Sequence, residues 1–512
     1  MWRSNPATRM SSRSETKADP GGGFDILFVT ADQWRADHGP GRAPVALPNV
    51  EALARDGVIF ENHFTQAYPC GPARAGLHTG LYPHKHRSIL NGTPLDARHP
   101  TVFSEARRAG YRPRLFGYTD TTADPRALAP GDPARGDYEG LAPGIEVDTL
   151  LTERAVPWLA HLKKRGHDVS RPEEGREAIF GQAPFGAPAV FQAEESETAF
   201  LTDRFLDWLS VAGPEPFFVH LSFIAPHPPF AVAEPFHSLV DPADVALPIG
   251  WGDFAREGAQ HPLIAFHQGQ VDLSRFAPSL SGQIVAADER LVRRLRATYA
   301  GMAAEVDHHL GRIVAALKAA GRWDRTLIVL SGDHGEQLFD HGLLGKLGYF
   351  DQSAHIPLIL RDPRPAARSA RGTRVSAFTQ SIDVLPTILD LIGLQPPPNV
   401  DGRSLLPFCR GERPADWRDA AFWSFDFRDP AGGGTERHFG LPPNRLSLHV
   451  VRTDRLKYVH FAGLPPVLID LAEDPEERIN RSRDPASAPL RLEGLERLLE
   501  LRLTHEDDTL TA

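Results

Sequence analysis

The sequence predicts an α/β protein: a mainly parallel central sheet flanked by helices, followed by a smaller C-terminal α+β part. Two runs, residues 24–30 and 326–331, are short, apolar and rich in β-formers, as strands buried on both faces are. Strand and helix signals alternate up to about residue 395, which implies βαβ units with helices on both faces of the sheet. Beyond the breaker Pro396-Pro397-Pro398 the strand signals are short and closely spaced.

A chain of 512 residues is too long for one ordinary core, and we divide it into a tail (1–23), a large catalytic domain (24–395) and a smaller domain (396–512). The first strand, residues 24–30, ends at Asp32. Asn49 is placed to cap a helix over residues 50–56 and Gly57 to stop it, with a strand at 58–64. From about residue 124 to 195, Pro, Gly and acidic residues dominate with weak periodicity, so loops laid over the sheet edge are expected. Residues 217–223 are a strand. Over residues 289–320, Leu291, Leu295, Tyr299, Met302, Val306, Leu310, Ile313 and Leu317 recur at spacings of three or four, marking one long helix with one apolar face. The strand at 326–331 follows and leads to an acid, Asp333. A helix at 384–392 has Asp383 as its cap; residues 446–451, 457–461 and 467–471 read as strands and 492–503 as a helix.

Hydrophobic content of 41% and charged content of 24% are those of a globular protein, and no stretch approaches the ~20 apolar residues of a membrane helix. The formal charge is −10, with Arg and Lys dispersed, so no nucleic-acid partner is expected. The polar first 23 residues lack the apolar region of a secretory signal, and a cytoplasmic location is expected. The two cysteines, Cys70 and Cys409, exclude a disulfide framework. Cys409, after Leu405-Leu406-Pro407-Phe408, reads as a buried thiol. Cys70 stands in different company.

Ligands of open parallel sheets bind just beyond the carboxyl ends of the strands. Asp32-Gln33 and Asp333-His334 both stand there, on the two clearest strands. A lone acid after a strand is more often a helix cap; two carboxylates, an amide oxygen and an imidazole together would hold a divalent cation. Between them lies Pro69-Cys70-Gly71-Pro72-Ala73-Arg74-Ala75-Gly76-Leu77-His78-Thr79-Gly80. Its C-x-P-x-R core resembles the sulfatase signature, in which the cysteine is oxidised to formylglycine. Asp32-Gln33-Trp34-Arg35-Ala36-Asp37, Pro226-His227-Pro228-Pro229-Phe230, Asp333-His334-Gly335-Glu336-Gln337 and His341-Gly342-Leu343-Leu344-Gly345-Lys346 narrow the resemblance to the phosphonate monoester hydrolases. It runs from Phe24 to the C-terminus.

The resemblance implies an alkaline-phosphatase/sulfatase-like fold and a formylglycine- and metal-dependent hydrolase of phosphonate monoesters and phosphate diesters. By it the metal ligands are Asp32, Gln33, the formylglycine made from Cys70, Asp333 and His334, while Arg74, Asn91, Tyr118, His227 and Lys346 meet the substrate. The aldehyde adds water to give a geminal diol; one hydroxyl attacks phosphorus, and deprotonation of the other expels the product and restores the aldehyde. Arg74, in the first turn of a helix starting near Cys70, would hold the anionic oxygens with Lys346, and His227 would supply the proton to the leaving oxygen. Asp120 stands where the family pattern has a threonine. Beside the anion it would repel dianionic monoesters more than monoanionic diesters; turned away, it would pair with an arginine such as Arg126. A formylglycine-generating maturation enzyme and a homotetramer are further implied, with residues 502–510 as an arm packing on a neighbour.

The nearest rival is an arylsulfatase. Sulfatases typically carry a second Asp where Gln33 stands, an Asn in place of His334 and a Lys in place of Tyr118. These changes point away from sulfate monoesters and favour Mn²⁺, with Ca²⁺ or Mg²⁺ as alternatives. An inactive binding module is opposed by the retention of every expected metal ligand.

Overall fold

The computed structural model describes residues 23–277 and 279–507. Its strands are β1 (Asp25–Ala31), β2 (Val58–Phe64), β3 (Ala67–Tyr68), β4 (Arg114–Gly117), β5 (Glu146–Leu150), β6 (Phe218–Phe223), β7 (Thr326–Gly332), β8 (Leu358–Arg361), β9 (Arg374–Gln380), β10 (Ala421–Asp426), β11 (Ser447–Arg452), β12 (Leu456–Phe461) and β13 (Val467–Asp470). The main sheet has the order β5-β4-β6-β1-β7-β8-β2-β9. Only β8 runs against its neighbours, so the sheet is mainly parallel as expected. The principal helices are α1 (Pro48–Asp56), α2 (Cys70–Thr79), α3 (Val102–Arg108), α4 (Val156–Lys164), α5 (Glu197–Val211), α6 (Glu289–Ala319), α7 (Val384–Leu391) and α8 (Ala488–Thr504).

Alternation along β1 divides the core. Leu27 and Val29 pack with Val50 of α1, Phe205 of α5 and Leu310 of α6. Ile26 and Phe28 pack on the other face with Phe103 of α3 and Leu385 of α7. Covering both faces is what makes the middles of β1 and β7 continuously apolar. Helix α6 begins where Asp288 accepts a hydrogen bond from Leu291 N at 2.8 Å, and all of its expected apolar face except Leu291 is buried.

Three local expectations are corrected. Residues 124–195 contain β5 and α4 as well as loops. β5 is a sheet edge with charged Glu146 and Asp148, so it lacks an apolar run, and α4 buries only Trp158, Leu159 and Leu162. Asn49 does not cap α1, because Pro48 already occupies the first turn. Its backbone and side-chain N–H groups instead donate to Asp307 of α6, each at 2.9 Å. Asp383 makes no side-chain cap for α7; its carboxylate accepts from Gln380 N and Arg403 N at 2.8 Å and pairs with Arg418 at 2.6 Å.

The C-terminal strands form a second sheet, β13-β12-β11-β10-β3. Its edge strand β3 lies immediately before Cys70 and pairs parallel with β10. Tyr349 and Phe350 sit in the same core as Trp423 and Phe425 of β10, and buried Lys457 of β12 pairs with Asp351 at 2.6 Å. The second sheet therefore braces both the approach to Cys70 and the loop that follows Lys346. Of the expected C-terminal arm, residues 502–504 end α8, and Thr509-Leu510 lie outside the described residues, as does the tail up to residue 22.

Candidate active site

β1 and β7 are parallel neighbours with Ala31 opposite Gly332, so Asp32 and Asp333 leave the sheet side by side. Helix α2 starts at Cys70, which places Arg74 one turn further on the same face. Asp32, Cys70, Asp333 and His334 are buried and offer donor atoms that all lie within 4.8 Å of one another. The Cys70 thiol is 3.2 Å from His334 Nε2 and 3.4 Å from Lys346 Nζ. Four residues expected as ligands thus converge.

Gln33 is held beside these residues by an unusual backbone. Its φ of 66° lies in the left-handed region, uncommon for a residue with a side chain. The conformation is held from both sides: Gln33 N donates to Asp333 Oδ1 at 3.0 Å, and Gln33 O accepts from Tyr299 OH of α6 at 2.6 Å. The amide is oriented as well. Its Nε2 donates to Glu336, and its Oε1 accepts from Lys346 Nζ at 2.8 Å. Glu336, fully buried, also accepts from Leu338 N and Gly345 N. Burial raises the Glu336 pKa, but its N–H donors favour the ionised form, which only accepts; Glu336 thereby takes the amide nitrogen of Gln33 and leaves Oε1 to Lys346. Nothing in the sequence marks Glu336 for this role, although it lies in the Asp333-His334-Gly335-Glu336 run.

Arg74 is fully buried. Its Nε donates to Asp333 at 2.9 Å, one terminal nitrogen donates to Tyr118 O at 3.0 Å and Ser222 Oγ at 2.8 Å, and the other reaches Asp32 at 3.3 Å. Four of its five N–H groups are therefore engaged within the protein, which makes Arg74 first a clamp on two carboxylates. Ser222, at the end of β6, went unremarked in the sequence. Tyr118 lies under the guanidinium, ring centroid 4.0 Å from Cζ, and its hydroxyl donates to Asp32. Asn91 accepts from Gly71 N at 2.9 Å and donates to Tyr138 OH at 3.0 Å, so it satisfies a first-turn N–H of α2.

His227 and Lys346 share a cavity of about 300 Å³ beside the thiol, walled by Leu344, Leu347, Phe276 and Phe425. Nδ1 of His227 is 2.7 Å from the Pro228 carbonyl, which can only accept, so the neutral ring presents Nε2 as an acceptor. Burial, and after it the Lys346 charge, pushes the His227 pKa well down. Burial opposes the charge on Lys346, but Cys70, Asp32 and Asp333 together raise its pKa and keep it an ammonium.

The charges suit a cation. Burial, reinforced by the Asp333 carboxylate, lifts Asp32 to about 8. Two carboxylates, an amide oxygen and an imidazole that burial holds neutral, with a pKa near 4, are donors appropriate to one divalent ion, whose charge would relieve the repulsion between the acids.

Asp120 is at φ 44° and buried, and its Oδ1 has no hydrogen-bond partner among the described residues. Burial lifts its carboxyl to about 7 against the pull of Arg74. Arg126 pairs with Asp124 at 2.7 Å and Asp96 at 2.9 Å, so the expected alternative partner of Asp120 is engaged elsewhere. A Cβ on Gly71 would lie 3.6 Å from Asp120 O and 3.2 Å from Asn91 Oδ1, which places Asp120 against the residue next to Cys70.

The chain matches the sulfatase family over residues 25–394 and the family described as N-sulphoglucosamine sulphohydrolase, C-terminal, over residues 339–504. It is 39% identical over 502 residues to the multifunctional alkaline phosphatase superfamily protein PehA of Trinickia caryophylli, covering 95% of this chain and 96% of that protein. The phosphonate monoester hydrolase of Agrobacterium radiobacter superposes with a TM-score of 0.90 at 45% identity, covering 95% of this chain and 97% of that one. The phosphonate monoester hydrolase SpPMH of Silicibacter pomeroyi gives 0.89 at 38% identity, with the same coverage of 95% and 97%.

Proposed function

Because this chain belongs to the sulfatase family of the alkaline phosphatase superfamily, we propose that it hydrolyses phosphonate monoesters and phosphate diesters with a nucleophile made from Cys70. The observation that carries the reading is the convergence of Asp32, Cys70, Asp333 and His334, with Lys346 against the thiol and Gln33 accepting from Lys346. The likeness to PehA and to two phosphonate monoester hydrolases supports the substrate class.

Asp32, Gln33, the modified Cys70, Asp333 and His334 would hold one divalent cation, for which this donor set favours Mn²⁺. When bound, the ion supplies Lewis-acid polarisation and a lowered pKa for the attacking hydroxyl. Formylglycine made from Cys70 by a maturation enzyme would supply that hydroxyl once hydrated. Arg74 holds Asp32 and Asp333 in register, and Tyr118 steadies Asp32. Lys346 presents an ammonium to the anionic ester. His227 would meet the leaving oxygen through Nε2, an acceptor in the neutral ring, and would donate there only after taking up a proton from solvent, an uptake that the bound anion favours against burial and the Lys346 charge. The division near residue 396, a homotetramer and a cytoplasmic location belong to the same proposal. No helix among the described residues is long and apolar enough to cross a membrane.

The test is kcat/KM for para-nitrophenyl phenylphosphonate, bis(para-nitrophenyl) phosphate and para-nitrophenyl sulfate after co-expression with a formylglycine-generating enzyme, alongside the mass of the Cys70 peptide. The first two substrates should exceed the sulfate, and the peptide should carry an aldehyde. Dominant sulfate turnover would make the protein an arylsulfatase; full activity with an intact thiol would overturn the nucleophile.

Asp120 provides a second prediction. Ionised, it repels a dianionic monoester more than a monoanionic diester. Its raised pKa, about 7, sets the sign: the carboxyl is neutral below that pH and charged above. Asp120→Thr should therefore raise monoester relative to diester kcat/KM, with a gain over wild type that grows as pH rises through about 7. A variant-to-wild-type ratio that is flat with pH and near one leaves Asp120 a structural residue.

A further inference from the structure

The cavity beside Lys346 has a charged group that the reaction does not use. Leu344, Leu347, Phe276 and Phe425 give it apolar walls, His227 and Lys346 occupy the end nearest Cys70, and Arg275 also lines it. Phe276 rests on the loop that delivers Lys346: a Cβ on Gly345 would meet Phe276 Cζ at 3.1 Å. The segment bearing Arg275 is built rather than loose. Val271 and Leu273 are buried, the Asp272 side chain accepts from Ser274 N at 2.8 Å, and Phe276 O accepts from Phe230 N at 2.7 Å. The Arg275 backbone is thus fixed at the cavity while its side chain is exposed. Among the described residues the guanidinium makes no ion pair or side-chain hydrogen bond; the Asp272 carboxylate accepts from Ser274 and feels the Arg275 charge only weakly, as the last of the influences that lower its pKa.

We propose that this cavity receives the alcohol portion of the ester, and that Arg275 selects alcohols with an apolar, ring-sized body ending in an anionic group such as a carboxylate. The proposal rests on the hydrolase reading above, in which the nucleophile made from Cys70 attacks phosphorus and Lys346 meets the anionic ester. Apolar walls discriminate weakly among bodies of similar size, whereas a fixed cation discriminates by charge. Arginine remains charged throughout the working pH range and pairs with carboxylate or phosphate in a planar two-point contact. The substrates that fit best are then diesters or phosphonate monoesters carrying two separated negative charges, one at phosphorus and one at the far end of the leaving group.

The experiment compares two para-nitrophenyl phenylphosphonates, one with a carboxylate and one with a carboxamide meta on the leaving phenol, in the matured, metal-loaded enzyme and in Arg275→Gln. The carboxylate-to-carboxamide ratio of kcat/KM should fall about two- to five-fold in the variant, the scale of one exposed ion pair, with the carboxamide ester unchanged. Arg275→Lys should recover part of the ratio, and ~0.5 M salt should move wild type towards the variant. An unchanged ratio, or equal losses on both esters, overturns the assignment. If wild type turns over neither ester, the hydrolase reading fails by itself, and calorimetric affinities of the intact protein for the two esters decide the matter for Arg275. Equal affinities would then end the proposal.

Discussion

Cys70→Ala should abolish hydrolysis of phosphonate monoesters and phosphate diesters, with kcat/KM falling by at least about a thousand-fold even at saturating Mn²⁺, while the protein stays folded and binds the metal more weakly, one of its proposed ligands being lost. The size follows from the role: losing a nucleophile removes the covalent route, and what survives comes from binding and charge alone. The fold should tolerate the change. The thiol is a small group at the first turn of α2, and its nearest contacts are held independently: His334, which meets it through Nε2, is fixed through Nδ1 to Gly335 O at 3.0 Å, and Lys346 Nζ also donates to Gln33 Oε1 at 2.8 Å. Steady-state rates, metal content and melting temperature of the same preparation separate the possibilities. Wild-type turnover in the alanine variant would remove Cys70 from the chemistry, and loss of folding would make it a packing residue.

The parts of this site that could be read from the sequence are those that depend on local pattern. β1 and β7 are apolar through their middles, residues 26–29 and 327–330, because both sheet faces are covered, and the acid after each stands out against that background. The helix that starts at Cys70 and carries Arg74 is equally local. What could not be read depends on pairings between distant segments. Glu336 meets Gln33 across 303 positions, and Ser222 meets Arg74 across 148; neither spacing leaves a periodic trace. The offered partner for Asp120 failed for a related reason. Arg126 lies close in sequence, but Asp124, two residues away, captures it through a local turn that also accepts Arg126 N at 2.9 Å. β5 was missed because an edge strand is kept polar, so the pattern that reveals a central strand is absent there. For His227, which lines the cavity with Lys346, nothing in the local sequence reveals that its Nδ1 hydrogen is committed to the Pro228 carbonyl.

Asp333→Ala should lose both the metal and the reaction, and the more informative result is what happens to stability. Asp333 accepts from Arg74 Nε at 2.9 Å, Gln33 N at 3.0 Å and His334 N at 2.9 Å, all buried. Removing one partner of a buried pair ordinarily costs about 3–5 kcal/mol. Here two effects reduce that cost in the metal-free protein: Arg74 keeps Asp32 at 3.3 Å, and Asp32 is freed from a like charge that raises its pKa. The metal-free variant should therefore melt only slightly below metal-free wild type. Metal binding is different, because no remaining side chain replaces a carboxylate ligand. Disturbing groups that merely orient ligands costs about 10–100-fold in affinity, so losing a ligand should cost more than about 100-fold. At a free Mn²⁺ concentration a hundred times the wild-type dissociation constant, linkage stabilises wild type by about 2.7 kcal/mol and the variant by almost nothing. Melting curves with and without Mn²⁺ read this directly, without reference to turnover. A variant whose melting temperature climbs with Mn²⁺ as wild type's does would show that Asp333 serves Arg74 and the Gln33 turn rather than the ion.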